Sequence, residues 1–112
     1  MTIKDLQPSE VWSNFYALTR CPRPSKHEEI VRQFLLDWAA ERKIDAFADK
    51  TGNVIMRIPA TPGYEKLKTV VLQGHMDMVP QKNADVEHDF LKDPIETWVD
   101  GEWLRAKGTT LG

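Results

Sequence analysis

A chain of 112 residues with 41% hydrophobic and 29% charged positions has the composition of a soluble globular protein and the length of one domain at most. Its net charge is −2, and its Lys and Arg are scattered among acidic residues, which excludes the clustered basic face of a nonspecific nucleic-acid binder. No stretch reads as a membrane span, and Met1-Thr-Ile-Lys-Asp-Leu6 lacks the apolar core and small-residue cleavage site of a signal peptide.

Leu6 to Thr19 is predicted as a first helix: Val11, Trp12, Phe15 and Leu18 recur at helical spacing, and Pro8 sits where a first turn tolerates proline. Arg20-Cys-Pro-Arg-Pro24 breaks it, because neither proline can continue a helix interior. Cys21 is the only cysteine and has no internal disulfide partner, which fits a reducing, cytoplasmic compartment. Nothing beside it would activate a thiolate, so it reads as a small packed residue. Ser25-Lys-His-Glu28 has the spacing of a capping box, the serine taking the third helical amide while Glu28 reaches back. The helix behind it carries Ile30, Val31, Phe34, Leu35, Trp38 and Ala39 as one apolar stripe and should fade at Arg42-Lys43, where cations suit the helix C-terminus. His27 falls in the exposed first turn of that helix and reads as a surface residue.

Ile44 to Ala48 and Val54 to Ile58 are predicted to pair as a hairpin around the turn Lys50-Thr-Gly-Asn53. A loop containing Pro62 and Gly63 leads to the apolar strand Val70-Val-Leu72. Gln81 to Lys92 is a long polar loop; its His88 and Asp89 are adjacent, so their side chains diverge in an extended segment, and they read as structural or solvated. Asp100-Gly101, between two aromatic-bearing runs, signals a second hairpin over Thr97 to Arg105. Helices alternating with short strands give an α/β chain with a partial mixed sheet.

Thr69-Val-Val-Leu-Gln-Gly-His75-Met-Asp77-Met-Val-Pro80 concentrates the chemistry. Its apolar run reads as an interior strand buried on both faces. Residues two apart on a strand point the same way, so His75 and Asp77 are set as a metal-binding imidazole and the carboxylate that orients it. In open α/β sheets, sites gather beyond the carboxyl ends of strands, where His75 falls.

Gln73-Gly-His75-Met-Asp77-Met-Val-Pro80 resembles the G-H-x-D-x-V-P signature of the zinc metallopeptidases that include aminoacylases, carboxypeptidase G and the cytosolic dipeptidases. Pro24-Ser25 with Glu28 resembles the P-S-x-x-E that opens their second helix, and Gly52-Asn53-Val54 resembles their G-N-hydrophobic hairpin. Asp100-Gly-Glu-Trp103 running to Gly108-Thr-Thr-Leu-Gly112 is similar to the dipeptidase branch, and the resemblance covers essentially the whole chain. It implies hydrolysis of dipeptides, including those with a C-terminal histidine, by water activated between two zinc ions, with cobalt or manganese as substitutes. It also implies His75 as a zinc ligand, Asp77 as the catalytic carboxylate behind it, a small peptide as substrate, and a homodimer for the complete enzyme.

By the same resemblance the bridging aspartate should follow Gly-Thr-Thr-Leu-Gly112, and the general base, most ligands and the lid domain lie further on. The expectation is therefore that residues 1–112 form the N-terminal portion of a catalytic domain, inactive by itself and marginal in stability, with an exposed sheet edge. Two alternatives stand beside it: a portion of a related hydrolase of N-acyl amino acids or longer peptides, and a non-catalytic module that binds a partner through its exposed strand or the hairpin of Trp98 and Trp103.

Overall fold

A computed structural model describes all 112 residues, which fall into two units. Met1–Val31 and Asp77–Gly112 form the first, Arg32–Met76 the second.

The first unit opens on a 3-10 turn, Ile3–Asp5, closed by a capping box that the helix-centred reading had missed. The Thr2 hydroxyl accepts from the Lys4 amide, and the Asp5 carboxylate accepts from the Thr2 amide at 2.7 Å. Helix α1 then runs over Ser9–Thr19, three residues later than predicted. Pro8 is its extended N-cap residue, and a proline biases the residue before it away from helical backbone, so the helix starts after Pro8 instead of at Leu6. The far end of α1 is anchored. Thr19, 1% exposed, accepts the Ile95 amide on its carbonyl at 2.9 Å, and Arg20 donates to the Glu96 carboxylate at 3.2 Å and to the Ile95 carbonyl. Ile3, Cys21, Val31, Met78 and Ile95 are the buried apolar side chains here, with Thr19 and Arg23 the buried polar ones. Burial pushes the Cys21 thiol up, against the opposing charge of Arg23, so it stays a protonated packing group.

Strands β3 (Thr97–Asp100) and β4 (Trp103–Ala106) pair antiparallel, as predicted. The turn centres on Gly101-Glu102, because Asp100 pairs with Trp103, and Gly101 takes the positive φ of 60° that a type II′ turn places at its first central residue. The register sets Trp98 opposite Arg105 and Trp103 opposite Asp100, so the two indoles are not a cross-strand pair. (β1 and β2 belong to the second unit.)

Helix α2, Glu29–Glu41, has its first three residues in the first unit and the rest in the second. It begins four residues past Ser25, and its end falls as predicted. The Lys43 amide donates to Ala40 at 3.0 Å and the Ile44 amide to Ala39 at 2.9 Å, a Schellman closure in which Lys43 holds the left-handed position at φ 56° that glycine usually takes. Val31 and Ala39 are fully buried on the apolar stripe.

In the second unit β1 (Asp45–Ala48) pairs antiparallel with β2 (Val54–Arg57), also as predicted. The turn is organised by Asp49, whose carboxylate accepts the amides of Thr51, Gly52 and Asn53 and the Asn53 side-chain amide, each at 2.9 Å. Arg32 on α2 donates to the Gly52 carbonyl at 2.8 Å.

One expectation fails. Val70-Val-Leu72 forms no strand: none of the four strands pairs with it, and the three side chains are 79%, 81% and 93% exposed. An apolar run becomes a buried strand only when neighbouring strands satisfy its backbone and cover its faces, and these residues include no such neighbours. The α/β character stands, but the mixed sheet reduces to two antiparallel hairpins and two isolated bridges, parallel between Pro24 and Met78 and antiparallel between Lys82 and Thr109.

Candidate functional site

The residues that hold Asp77 come from the Arg23-Pro-Ser25 segment, where the chain leaves α1 and has not yet started α2. The Met78 amide donates to the Arg23 carbonyl at 2.9 Å, and the Ser25 amide donates back to the Met78 carbonyl at 3.1 Å. These two bonds make the parallel bridge and fix the backbone on either side of Pro24 against the residue after Asp77. The Ser25 hydroxyl donates to Asp77 Oδ2 at 2.6 Å. Beneath this lies Arg23, 6% exposed. Burial works against its charge, and the Asp77 carboxylate opposes that effect.

The capping box expected at Ser25 is thereby corrected. The serine hydroxyl is engaged 52 residues away, and Glu28 accepts the Lys26 amide at 2.7 Å instead of reaching the Ser25 backbone. Lys26, at φ 74°, turns the chain toward α2, with the His27 amide donating to the Pro24 carbonyl at 2.9 Å.

Asp77 is half-buried in the first unit, and His75 is an exposed residue of the second. His27 is exposed, as expected. His88 is half-buried, its ring packed edge-on against Phe90 with centroids 4.5 Å apart and its Nε2 buried without a hydrogen-bond partner. Its neighbour Asp89 caps the local turn by accepting the Leu91 amide at 2.9 Å. The adjacent pair therefore does local structural work, as its divergent geometry predicts.

No three His, Cys, Asp or Glu side chains converge in a way that could hold a metal ion. Zinc takes about three or four protein ligands, so the residues present do not by themselves fit one. Sequence reasoning missed Ser25 and Arg23 as neighbours of Asp77. The available signal was the serine of the P-S-x-x-E segment, which looks like a helix cap when read locally.

No family model matches the chain. It is 48% identical over 110 residues, 98% of its length, to a cytosol non-specific dipeptidase of Escherichia coli, of which it covers 23%. It is 41% identical over 59 residues to a [LysW]-lysine hydrolase of Deinococcus radiodurans, a match covering 53% of this chain and 15% of that protein. The crystal structure of aminoacylhistidine dipeptidase from Vibrio alginolyticus superposes on all of this chain with a TM-score of 0.95 at 53% identity, again over 23% of the larger protein. The chain thus spans about a quarter of the length of the dipeptidases it matches. In both sequence and backbone, it is similar along its whole length to one stretch of the bacterial aminoacylhistidine dipeptidases, the branch to which its motifs point.

Proposed function

We propose that this chain carries one side of the active site of a dipeptidase, with His75 and Asp77 as its contribution. The observation that supports the reading most is the match of the whole chain, at a TM-score of 0.95, to a dipeptidase four times its length. In this reading His75 offers a ring nitrogen to a metal ion, zinc first and cobalt or manganese as substitutes. Asp77 orients that imidazole, as a carboxylate behind a ligating histidine generally does. The substrate is a small dipeptide, including those that end in histidine. The other ligands and the general base are supplied by the part of such enzymes that this chain does not span, so residues 1–112 alone should not hydrolyse peptides. A cytosolic setting and a homodimer for the complete enzyme belong to the same proposal; no helix is long and apolar enough to cross a membrane.

A second substrate class has an observation behind it. The partial match to a lysine hydrolase extends the similarity to an enzyme named for a different substrate. Cleavage of an amide-linked lysine or another N-acyl amino acid is therefore the alternative for the same residues.

The test joins these 112 residues, in place of the matching stretch, to the remainder of the E. coli dipeptidase, and assays dipeptides against N-acyl amino acids. Dipeptide turnover by the joined enzyme, and none by residues 1–112 with zinc, cobalt or manganese, is expected. His75→Ala should weaken metal binding at least about tenfold, whereas Asp77→Ala should keep most of the metal and lose rate about 10- to 100-fold. Equal metal affinity in the His75→Ala and unmodified enzymes would refute the ligand role; turnover by residues 1–112 alone would refute the division of the site.

A further inference from the structure

The structure assigns Ser25 as a positioning residue for the Asp77 carboxylate, an inference that rests on the reading of Asp77 as a working group of the site. Three observations converge on it. First, the 2.6 Å contact from the Ser25 hydroxyl to Asp77 Oδ2 lies in the short range of hydrogen bonds to an ionised acceptor. The hydroxyl has one proton to give, and its other acceptor within reach, the Met78 carbonyl at 3.4 Å, is much the longer contact.

Second, Ser25 has no competing local duty. A serine ahead of a helix ordinarily caps it, but α2 starts four residues on at Glu29, and the glutamate that would complete the cap is bonded to the Lys26 amide. Third, the donor is held in place before it bonds. Ser25 is exposed, so water competes for its hydroxyl, and an unconstrained serine would lose most of the benefit to side-chain and backbone freedom. Here the backbone is tied to Met78 on both sides of Pro24, and Pro24 has a fixed φ. Met78, the residue after Asp77, is 4% exposed and therefore a firm anchor.

One bonded oxygen sets the plane of a carboxylate. Ser25 thus fixes how Asp77 presents itself to whatever it orients, a role carried over 52 positions of sequence by a two-residue bridge.

The test has a structural arm and a kinetic arm. In residues 1–112, the three-bond Hα–Hβ couplings of Asp77 should report one χ1 rotamer; Ser25→Ala should average them, and Ser25→Thr, which keeps the hydroxyl, should restore them. In the joined enzyme Ser25→Ala should lower kcat about 10- to 100-fold, the range typical of groups that orient a working residue, while KM changes less than about threefold. Ser25→Thr should recover most of the rate. In the Asp77→Ala background, Ser25→Ala should cost less than about twofold, because its effect passes through the carboxylate.

Unchanged couplings in Ser25→Ala overturn the proposal. So does a rate loss of the same size with and without Asp77, which marks a role in the fold alone. If Asp77→Ala keeps full rate, the reading of Asp77 fails, and the rotamer measurement still decides whether Ser25 positions it. If Ser25→Ala does not fold, the same comparisons are made with Ser25→Cys, and a rate equal to that of the unmodified enzyme there overturns the assignment.

Discussion

Gly108→Ala should open the loop pair that closes the first unit. Gly108 has φ +75°, a left-handed conformation costing a residue with a Cβ about 1–2 kcal/mol. A Cβ at that position would also collide with Cγ2 of Val86, well inside contact distance, and overpacking of this kind costs about 1–3 kcal/mol. The sum is about 2–5 kcal/mol, or a drop of at least about thirtyfold in protection at tenfold per 1.4 kcal/mol. The reporter is the Asn83 amide, which donates to the Gly108 carbonyl at 2.8 Å, with the Thr110 amide on the Gln81 carbonyl at 2.8 Å as a second. Hydrogen exchange of both amides reads opening free energies up to that of global unfolding, so the drop is measured under conditions where the unmodified chain protects Asn83 by more than about thirtyfold. Repeating the substitution in a Val86→Ala background removes the collision and leaves the backbone strain, so the cost should fall to about 1–2 kcal/mol. Protection of Asn83 in Gly108→Ala within threefold of the unmodified chain would refute the reasoning. An undiminished cost in the Val86→Ala background would refute the steric half of it.

The Asp49 turn makes a prediction with a definite sign. The Asn53 side chain and then the backbone amides of Asn53, Gly52 and Thr51 hold the Asp49 carboxyl below its usual value of about 3.9. A depressed folded-state pKa means that the contribution to the β1–β2 hairpin is full above the unfolded value and is lost as pH falls through the folded one. Amide shifts of Gly52 and Asn53 followed downward from neutral pH should therefore have midpoints below 3.9; midpoints at or above about 4 would contradict the turn geometry. Val71→Lys, at a side chain 81% exposed, should cut aggregation of residues 1–112 and change stability by less than about 0.5 kcal/mol. In the joined enzyme the same change should lower folded yield, and equal yields there would mean that this run is not covered in the larger protein.

What could be read from the sequence was what depends on neighbours a few residues apart. The two hairpins follow from alternation and turn chemistry, and both formed, with Asp49 and Gly101 in the turn positions that suit them. The C-terminal end of α2 was legible for the same reason: it closes through Ala39, Ala40, Lys43 and Ile44. The start of α1 is less legible, because helical spacing extends back through Pro8 while a proline biases the residue before it away from helical backbone.

The errors that matter for function were non-local. Ser25 with Glu28 satisfies the capping pattern completely, and nothing within four residues reveals that the hydroxyl belongs to Asp77. A short polar side chain has one proton and several acceptors, and tertiary structure chooses among them. The run at Val70–Leu72 fails in the opposite direction. Its composition describes the surroundings of a buried strand, but burial is supplied by other strands, and these 112 residues form none that pairs with it. Yet the backbone of the whole chain, this run included, matches a dipeptidase more than four times its length at a TM-score of 0.95. An apolar run more than three-quarters exposed is the kind of surface that marks an interaction site. Of the two residues with which the motif ends, Asp77 is held by its own unit through Ser25 and Met78, whereas His75 follows the uncovered run. The first unit therefore fixes the carboxylate of the motif through the Ser25 hydroxyl and the bridge to Met78.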